Sequence, residues 1–403
     1  MTPNNQKIFL LISPNFPSFY YQFAVELKKR GFLVLGIGDE FPEKLIPELK
    51  ESLTEYCRVW DLKNTTWLIQ TVDYLTKKYG KIDYLESNNE FWLEQDAILR
   101  QWFDIKTGLF PNVLRDMQAK SGMKKNFAAA GANAARYHLS DNFESTLAWA
   151  NEIGFPIFVK PDLGVGSIGT KKIHNEEELK EFYLNKDSIN YIFEEFVSGD
   201  TVSYDGVVNS KGEIIFDNSE CFMVDNAELV NKDLDDYFYT VKEVPNDLRE
   251  IGNKIIKSFG INSRPFHLEF FRLRKDSNLG KKGDLFALEI NLRMGGANVP
   301  YVASCSQGVN LYSVFADMIA YDENRQIIPE KKYFACSIGR KLTHKYLNSF
   351  DDMKIKYKDN ICDVGEFPKE IAADAGDAYV VAKFEKLEEL NEFAEYVLTQ
   401  VKE

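Results

Sequence analysis

The sequence predicts an α/β protein that opens on a parallel sheet and continues into a small α+β unit and a hairpin. Three observations carry this. From Lys7 to Leu85, apolar runs alternate with amphipathic segments, the pattern of strand–helix–strand units. The stretch from Phe143 to Phe216 mixes helical and strand periods. Two strand-like segments, FHLEFFRL and LFALEINLR, then flank the turn-rich KDSNLGKKGD, which reads as a hairpin.

In chain order, IFLLIS is a first strand, FYYQFAVELKKRG a helix and FLVLGIG a second strand. The intervening Pro14–Pro17 turn lacks the GxGxxG that holds a dinucleotide, so a nicotinamide site is not expected. A helix over Thr66–Tyr79 and a strand over Ile82–Leu85 follow. Asn88, Asn89 and Glu90 come next, at the strand end where open parallel sheets bind ligands; a polar loop is an equally good reading. Helices are expected over Met117–Ala130, stopped by Gly131, and over Phe143–Ile153. The strand Ile157–Lys160 then runs into the loop PDLGVGSIGT. A helix over Glu176–Leu184 and a strand ending at Phe193 precede an antiparallel pair, Val202–Val208 with Glu213–Phe216. The tail gives a strand at Ala378–Phe384 and a helix with Leu387, Leu390, Ala394 and Val397 at the 3.6 period.

Composition narrows the function. The 403 residues carry 49 basic and 62 acidic side chains, a net −13, and no long basic block, so a nucleic-acid partner is not expected. No apolar run reaches the roughly 18 residues of a bilayer span, and the expected location is cytoplasmic with no membrane partner. Five cysteines without a CxxC pair and four histidines without HExxH leave oxygen ligands for any metal.

Two clusters carry chemistry. Gly164, Gly166 and Gly169 around Ser167, just after Lys160, can bring backbone N–H groups close to a phosphate chain, although a Gly-rich surface turn looks the same in sequence. Strand alternation puts His267 and Glu269 on one face of the first hairpin strand, and Glu289, Asn291 and Arg293 on one face of the second. If the faces coincide, two carboxylates and an amide oxygen offer what Mg²⁺ takes. Cross-strand ion pairs are the alternative.

FPIFVKPDLGVGSIGT, FEEFVSGD, and HLEF with LEINLRMGG, in that order, resemble the ATP-grasp superfamily of carboxylate–amine and carboxylate–thiol ligases. Its relatives include carbamoyl phosphate synthetase, biotin carboxylase, glycinamide ribonucleotide synthetase and bacterial amino-acid ligases. The resemblance implies a Rossmann-like leading domain over residues 1–112, an ATP-grasp N-terminal lobe with a glycine-rich flap over 113–192, and a C-terminal lobe with the Mg²⁺ site over 193–403. It also implies ATP and Mg²⁺, with Mn²⁺ as a substitute, and small carboxylate and amine substrates. A homodimer is a further expectation from the relatives.

Residue by residue, the resemblance gives Lys160 and Lys120 to the ATP phosphates, with Lys124 competing for the second role, and Gly164, Gly166, Ser167 and Gly169 to the flap. It gives Glu194, Glu195, Phe196 and Val197 to the adenine segment and Asp200 to the ribose. Glu269, Glu289 and Asn291 become metal ligands, and Arg293 meets the transferring phosphate or acyl-phosphate. Asn89, Glu90, Gly295, Gly296 and Arg340 are expected near substrate, with Asn298, Ser304 and Cys305 as further candidates. The implied chemistry is attack of a carboxylate on the γ-phosphoryl group, then of an amine on the acyl-phosphate. MGGANVPYVASCSQG after the second metal strand departs from biotin carboxylase, and an amino-acid ligase is the favoured subclass. A phosphoribosylamine–glycine ligase-like enzyme and a non-catalytic nucleotide-binding protein on the same fold are the alternatives.

Overall fold

The computed structural model describes residues 6–139, 141–164, 169–223, 234–369 and 371–401. It opens with strands β1 (Ile8–Ile12), β2 (Leu33–Gly38), β3 (Glu55–Arg58) and β4 (Tyr84–Glu86), paired in parallel in the order β3-β2-β1-β4. Helices α1 (Tyr21–Lys29), α2 (Pro47–Ser52), α3 (Thr65–Tyr79) and α4 (Leu93–Phe103) lie along this part of the chain. Every residue of β1 is buried, because alternate side chains feed two cores. Phe9 and Leu11 join Phe23, Leu27 and Phe315, while Ile8, Leu10 and Ile12 join Leu68, Val72 and Leu75.

A small antiparallel sheet follows, built of β5 (Tyr137–Leu139), β6 (Ile157–Pro161), β7 (Lys171–Ile173) and β8 (Tyr191–Glu195) in the order β5-β8-β6-β7. Helices α7 (Phe143–Ile153) and α8 (Glu176–Asn185) cover it, each started by an asparagine whose side chain accepts a backbone N–H.

The large sheet is antiparallel and has nine strands among the described residues. They are β9 (Gly199–Val208), β10 (Ile214–Asn218), β11 (Glu220–Phe222), β12 (Tyr237–Thr240), β13 (Arg264–Leu273), β14 (Leu285–Asn291), β15 (Phe334–Arg340), β16 (Ile361–Glu366) and β17 (Ala378–Phe384). β9 and β14 flank β13.

One expectation is corrected. The single helix over Met117–Ala130 is two, α5 (Pro111–Gln118) and α6 (Lys120–Ala129), broken at Ala119, whose ψ is 122°. Asp162 holds the break, its carbonyl accepting from Lys120 N at 2.9 Å, a tertiary contact that helix propensity does not register. Leu114, Met117, Met123 and Phe127 pack into the large sheet's core with Ile255 and Phe259 of α9 (Asn246–Phe259) and with Leu268 and Ile290.

The leading sheet is joined to the large lobe by α1 packing on α11 (Leu311–Tyr321), which follows α10 (Val299–Gln307). Arg30 binds Asp317 at 2.7 Å across that contact and is also held by Glu26 of α1 itself at 2.8 Å. A second junction is charged and buried. Glu86 accepts from Arg100 at 2.7 Å and lies 3.4 Å from Arg264, at the start of β13. Burial, then the Glu86 charge, pushes the neighbouring Asp96 up to about 8.

Phe23→Ala, which empties the α1–α11 contact, should cost about 3–5 kcal/mol of stability by urea titration. Asp96 is neutral in the folded protein up to about pH 8, whereas the unfolded chain ionises it near about pH 4. Its contribution is therefore complete below about pH 4 and declines as pH rises toward 8. Asp96→Asn should flatten that decline in a stability–pH series.

Candidate active site

Three elements meet where the two antiparallel sheets face each other. From α6 come Lys120 and Lys124, one turn apart and both buried. From the small sheet come Lys160 on β6 and Glu194 on β8, also buried. Glu194 lies between two of the lysines, 2.8 Å from Lys124 Nζ and 2.8 Å from Lys160 Nζ. Burial opposes its ionisation, but the two ammonium charges overcome this and hold its pKa at about 2. Burial pushes Lys120 and Lys124 below the usual lysine range, with Glu289 and Glu194 acting against it.

The large sheet supplies the acids. Register sets Glu269 opposite Glu289 and His267 opposite Asn291, so the two faces expected from alternation coincide. Asn291 donates its amide N–H to Glu289 Oε1 at 3.2 Å, which leaves its carbonyl oxygen as an acceptor. Desolvation works against the Glu289 carboxylate, but Lys120, Lys160 and the Asn291 hydrogen bond outweigh it and keep the pKa low. Two carboxylates and an amide oxygen, hard donors on one face, fit a magnesium-type ion.

The remaining residues sort by geometry. Lys120 Nζ donates to the Gly164 carbonyl at 3.1 Å; Gly164 and Gly169 have positive φ of +152° and +76°, so both ends of the flap suit glycine. Gly166 and Ser167 lie outside the described residues. A cavity of about 430 Å³ is lined by Lys124, Lys160, Glu194 and Glu195 and by apolar Phe158, Val197, Phe271, Phe286 and Leu288, the mix of apolar walls and a few charged groups usual in a ligand pocket. The Glu194 carboxylate is committed to lysines, and that of Glu195 to Arg136 at 2.8 Å. Both carboxylates are thus engaged within the protein. Phe196 lies under Lys172 Nζ at 3.6 Å. Asp200 is exposed and paired with Arg274 at 2.5 Å.

On the side of the leading sheet, Glu90 Oε2 sits 3.4 Å from Arg293 Nε. Neither atom has a hydrogen-bond partner among the described residues, although both are buried. Gln118 steadies Glu90 through Oε1 at 2.9 Å, and Arg293 Nη1 donates to the Met294 carbonyl at 2.7 Å. Asn89 closes its own loop, accepting from Phe91 N at 3.1 Å and donating to the Phe16 carbonyl at 3.3 Å. Gly295 is packed so that a Cβ would fall 2.5 Å from Val299 Cγ1, whereas Gly296 has open space.

Asn298 and Ser304 are engaged by Ser337 at 2.8 Å and by the Pro300 carbonyl at 2.6 Å. Hydrogen bonding to Cys362, then burial, keeps the Cys305 thiol protonated. Arg340 does not reach this cluster. Its two Nη groups donate to the Asn348 carbonyl at 2.9 Å and to the Val397 carbonyl, and it stacks on Tyr346. Its guanidinium ties β15 to the C-terminal helix, a contact over 57 residues that sequence cannot show.

Sequence reasoning missed Asp162, Ser203, Asp205 and Glu220. Ser203 and Asp205, two apart inside the apolar strand VSYDGVV, were the available signal. Nothing near Glu220 in the chain points to it. Asp205, Glu220 and His267 bring ligand-type atoms within 4.8 Å of one another, but each is already bonded to its neighbours.

Residues 153–301 match the model for the ATP-grasp domain. The chain is 24% identical over 262 residues to an L-arginine-specific L-amino acid ligase of Bacillus subtilis, covering 62% of this chain and 61% of that one. Among solved structures it is similar to L-amino acid ligase from Bacillus licheniformis, with TM-score 0.70, 14% identity and coverage of 99% and 100%. Phosphoribosylglycinamide synthetase from Anaerococcus prevotii gives TM-score 0.67, 17% identity and 99% of both chains. At these identities the structures share the fold. Among the described residues, no helix is long and apolar enough to cross a membrane.

Glu194→Gln strands two buried ammonium groups and should cost about 3–5 kcal/mol in a denaturation experiment at neutral pH. Because the pKa of Glu194 is depressed, its stabilisation is present above about pH 4 and is lost as pH falls toward 2. The gap between wild type and variant should close over that window.

Proposed function

We propose that this protein is an ATP-dependent ligase that activates a small carboxylate, in our reading that of an amino acid, for attack by an amine. The observation that carries the proposal is Glu289, which faces Lys120 and Lys160 across the cleft between the sheets and beside Glu269 and Asn291. A structural sheet face does not need three buried lysines aimed at its carboxylates, whereas a triphosphate and its cation do.

In this reading the base enters the 430 Å³ cavity, and Lys120, Lys160 and the flap amides bind the phosphates. Glu269, Glu289 and Asn291 hold Mg²⁺, or Mn²⁺ in its place, which when bound neutralises charge on the phosphoryl oxygens. The substrate carboxylate, oriented by Arg293, attacks the γ-phosphorus as the bond to ADP breaks. The amine then adds to the acyl carbon, loses a proton and expels phosphate. The unsatisfied Glu90 and Arg293 atoms suit the two ends of a zwitterion, with ammonium on Glu90 and carboxylate on Arg293, which is why an amino acid is preferred. The flap excludes water that would hydrolyse the acyl-phosphate.

The test is phosphate release from ATP and Mg²⁺ with the twenty amino acids singly and in pairs, followed by mass spectrometry. Release that requires a pair, with a product one water lighter than its two reactants, is the expected result. Silence across the panel with ATP binding intact would remove the amino-acid reading. Glu289→Gln should lower turnover by at least about 100-fold while the circular dichroism and melting curve stay near wild type; an unchanged rate would sink the metal assignment. Glu90→Gln should raise the amino-acid KM by about 10-fold or more and leave the KM for ATP in place.

A further inference from the structure

Behind the proposed metal ligands lies a buried polar row with no role so far. Register places Asp205 of β9 opposite His267 of β13, and Ser203 opposite Glu269. The same two residues of β13 face Asn291 and Glu289 of β14 on their other side. Six polar side chains therefore share one face of three adjacent strands, and Glu220 of β11 reaches Ser203 from the next. Ser203, Asp205, Glu220 and His267 are between 0% and 5% exposed.

Counting donors gives the row a direction. His267 has a carboxylate oxygen at each ring nitrogen, Asp205 Oδ1 at Nδ1 and Glu269 Oε1 at Nε2, the latter at 3.0 Å. Both nitrogens must therefore carry hydrogen. Asp205 Oδ2 and Glu220 Oε2 both contact the Ser203 hydroxyl, which has one proton to give. The Ser203 oxygen also accepts Glu220 N at 3.0 Å. Every contact is satisfied if Glu220 keeps its proton on Oε2 and donates to Ser203, which donates to Asp205. Asn218 and Thr240 already occupy Glu220 Oε1, and burial beside Asp205 favours the neutral acid. The chain then runs from Glu220 through Ser203, Asp205 and His267 to Glu269, and it ends on one oxygen of the proposed metal ligand.

We propose that His267, clamped by Asp205, Ser203 and Glu220, is a positioning residue that pins Glu269 Oε1 and leaves Oε2 as the oxygen presented to the divalent cation. The loop seals the arrangement from outside: a Cβ on Gly295 would come 3.4 Å from His267 Nδ1.

The inference rests on the metal reading of Glu269, so the experiment separates the two. Mn²⁺ binding to the full chain with ADP is followed by the electron paramagnetic resonance of free Mn²⁺, alongside ADP binding without metal. Asp205→Asn and His267→Phe should weaken Mn²⁺ about 10–100-fold, leave metal-free ADP affinity in place and raise the Mg²⁺ requirement, with kcat recovered at saturating Mg²⁺. His267→Gln, which keeps one donor toward Glu269, should recover part of the affinity. Should the larger changes prevent folding, Ser203→Ala removes a single hydroxyl and should still weaken Mn²⁺ several-fold. Folded variants with Mn²⁺ affinity within twofold of wild type would overturn the inference alone. A wild-type protein that binds no Mn²⁺ with ADP would overturn the metal assignment and the inference with it.

Discussion

Lys124 and Lys160 can be buried together only because the Glu194 carboxylate lies between them, 2.8 Å from each ammonium. An unpaired ammonium at that depth would lose its proton or unfold the lobe. The triad joins α6, which packs with the large sheet, to β6 and β8 of the small one, so the same contact that removes a desolvation penalty also sets the spacing of the cleft. Lys120 extends the line toward Glu289, so a basic and an acidic set of side chains face each other across the cleft.

The acidic half depends on backbone register. A one-residue slip of β13 against β14 would turn Glu269 away from Glu289 and put apolar Leu268 in the cleft. Register is secured on both sides of β13, by ten paired positions with β9 and by the hairpin with β14. The leading sheet contributes through its loop after β4. The buried Glu86–Arg100–Arg264 cluster anchors that loop to β13 and brings Glu90 within reach of Arg293.

Local order was largely legible. Amphipathic spacing marked α1, α3, α7, α8 and the C-terminal helix, and the turn-rich KDSNLGKKGD marked the β13–β14 hairpin. The break at Ala119 was not legible, because it is stabilised by Asp162 from a loop 43 positions on. Arg340 was expected near substrate, and its partners, the carbonyls of Asn348 and Val397, left no mark in the sequence because they are backbone atoms that every residue has.

Alternation along single strands was enough to put His267 with Glu269 and Glu289 with Asn291, since a strand's period of two is a property of the chain itself. Sequence also determined the lysine and glycine loop after β6 and the parallel opening. Tertiary structure alone decided that the two acidic faces coincide, that Glu194 lies between Lys124 and Lys160, that Glu90 meets Arg293, and that Ser203, Asp205 and Glu220 stand behind His267. Each of these depends on which strands become neighbours and in what register, and pairing between distant segments is set by the packing of the whole core rather than by any local pattern.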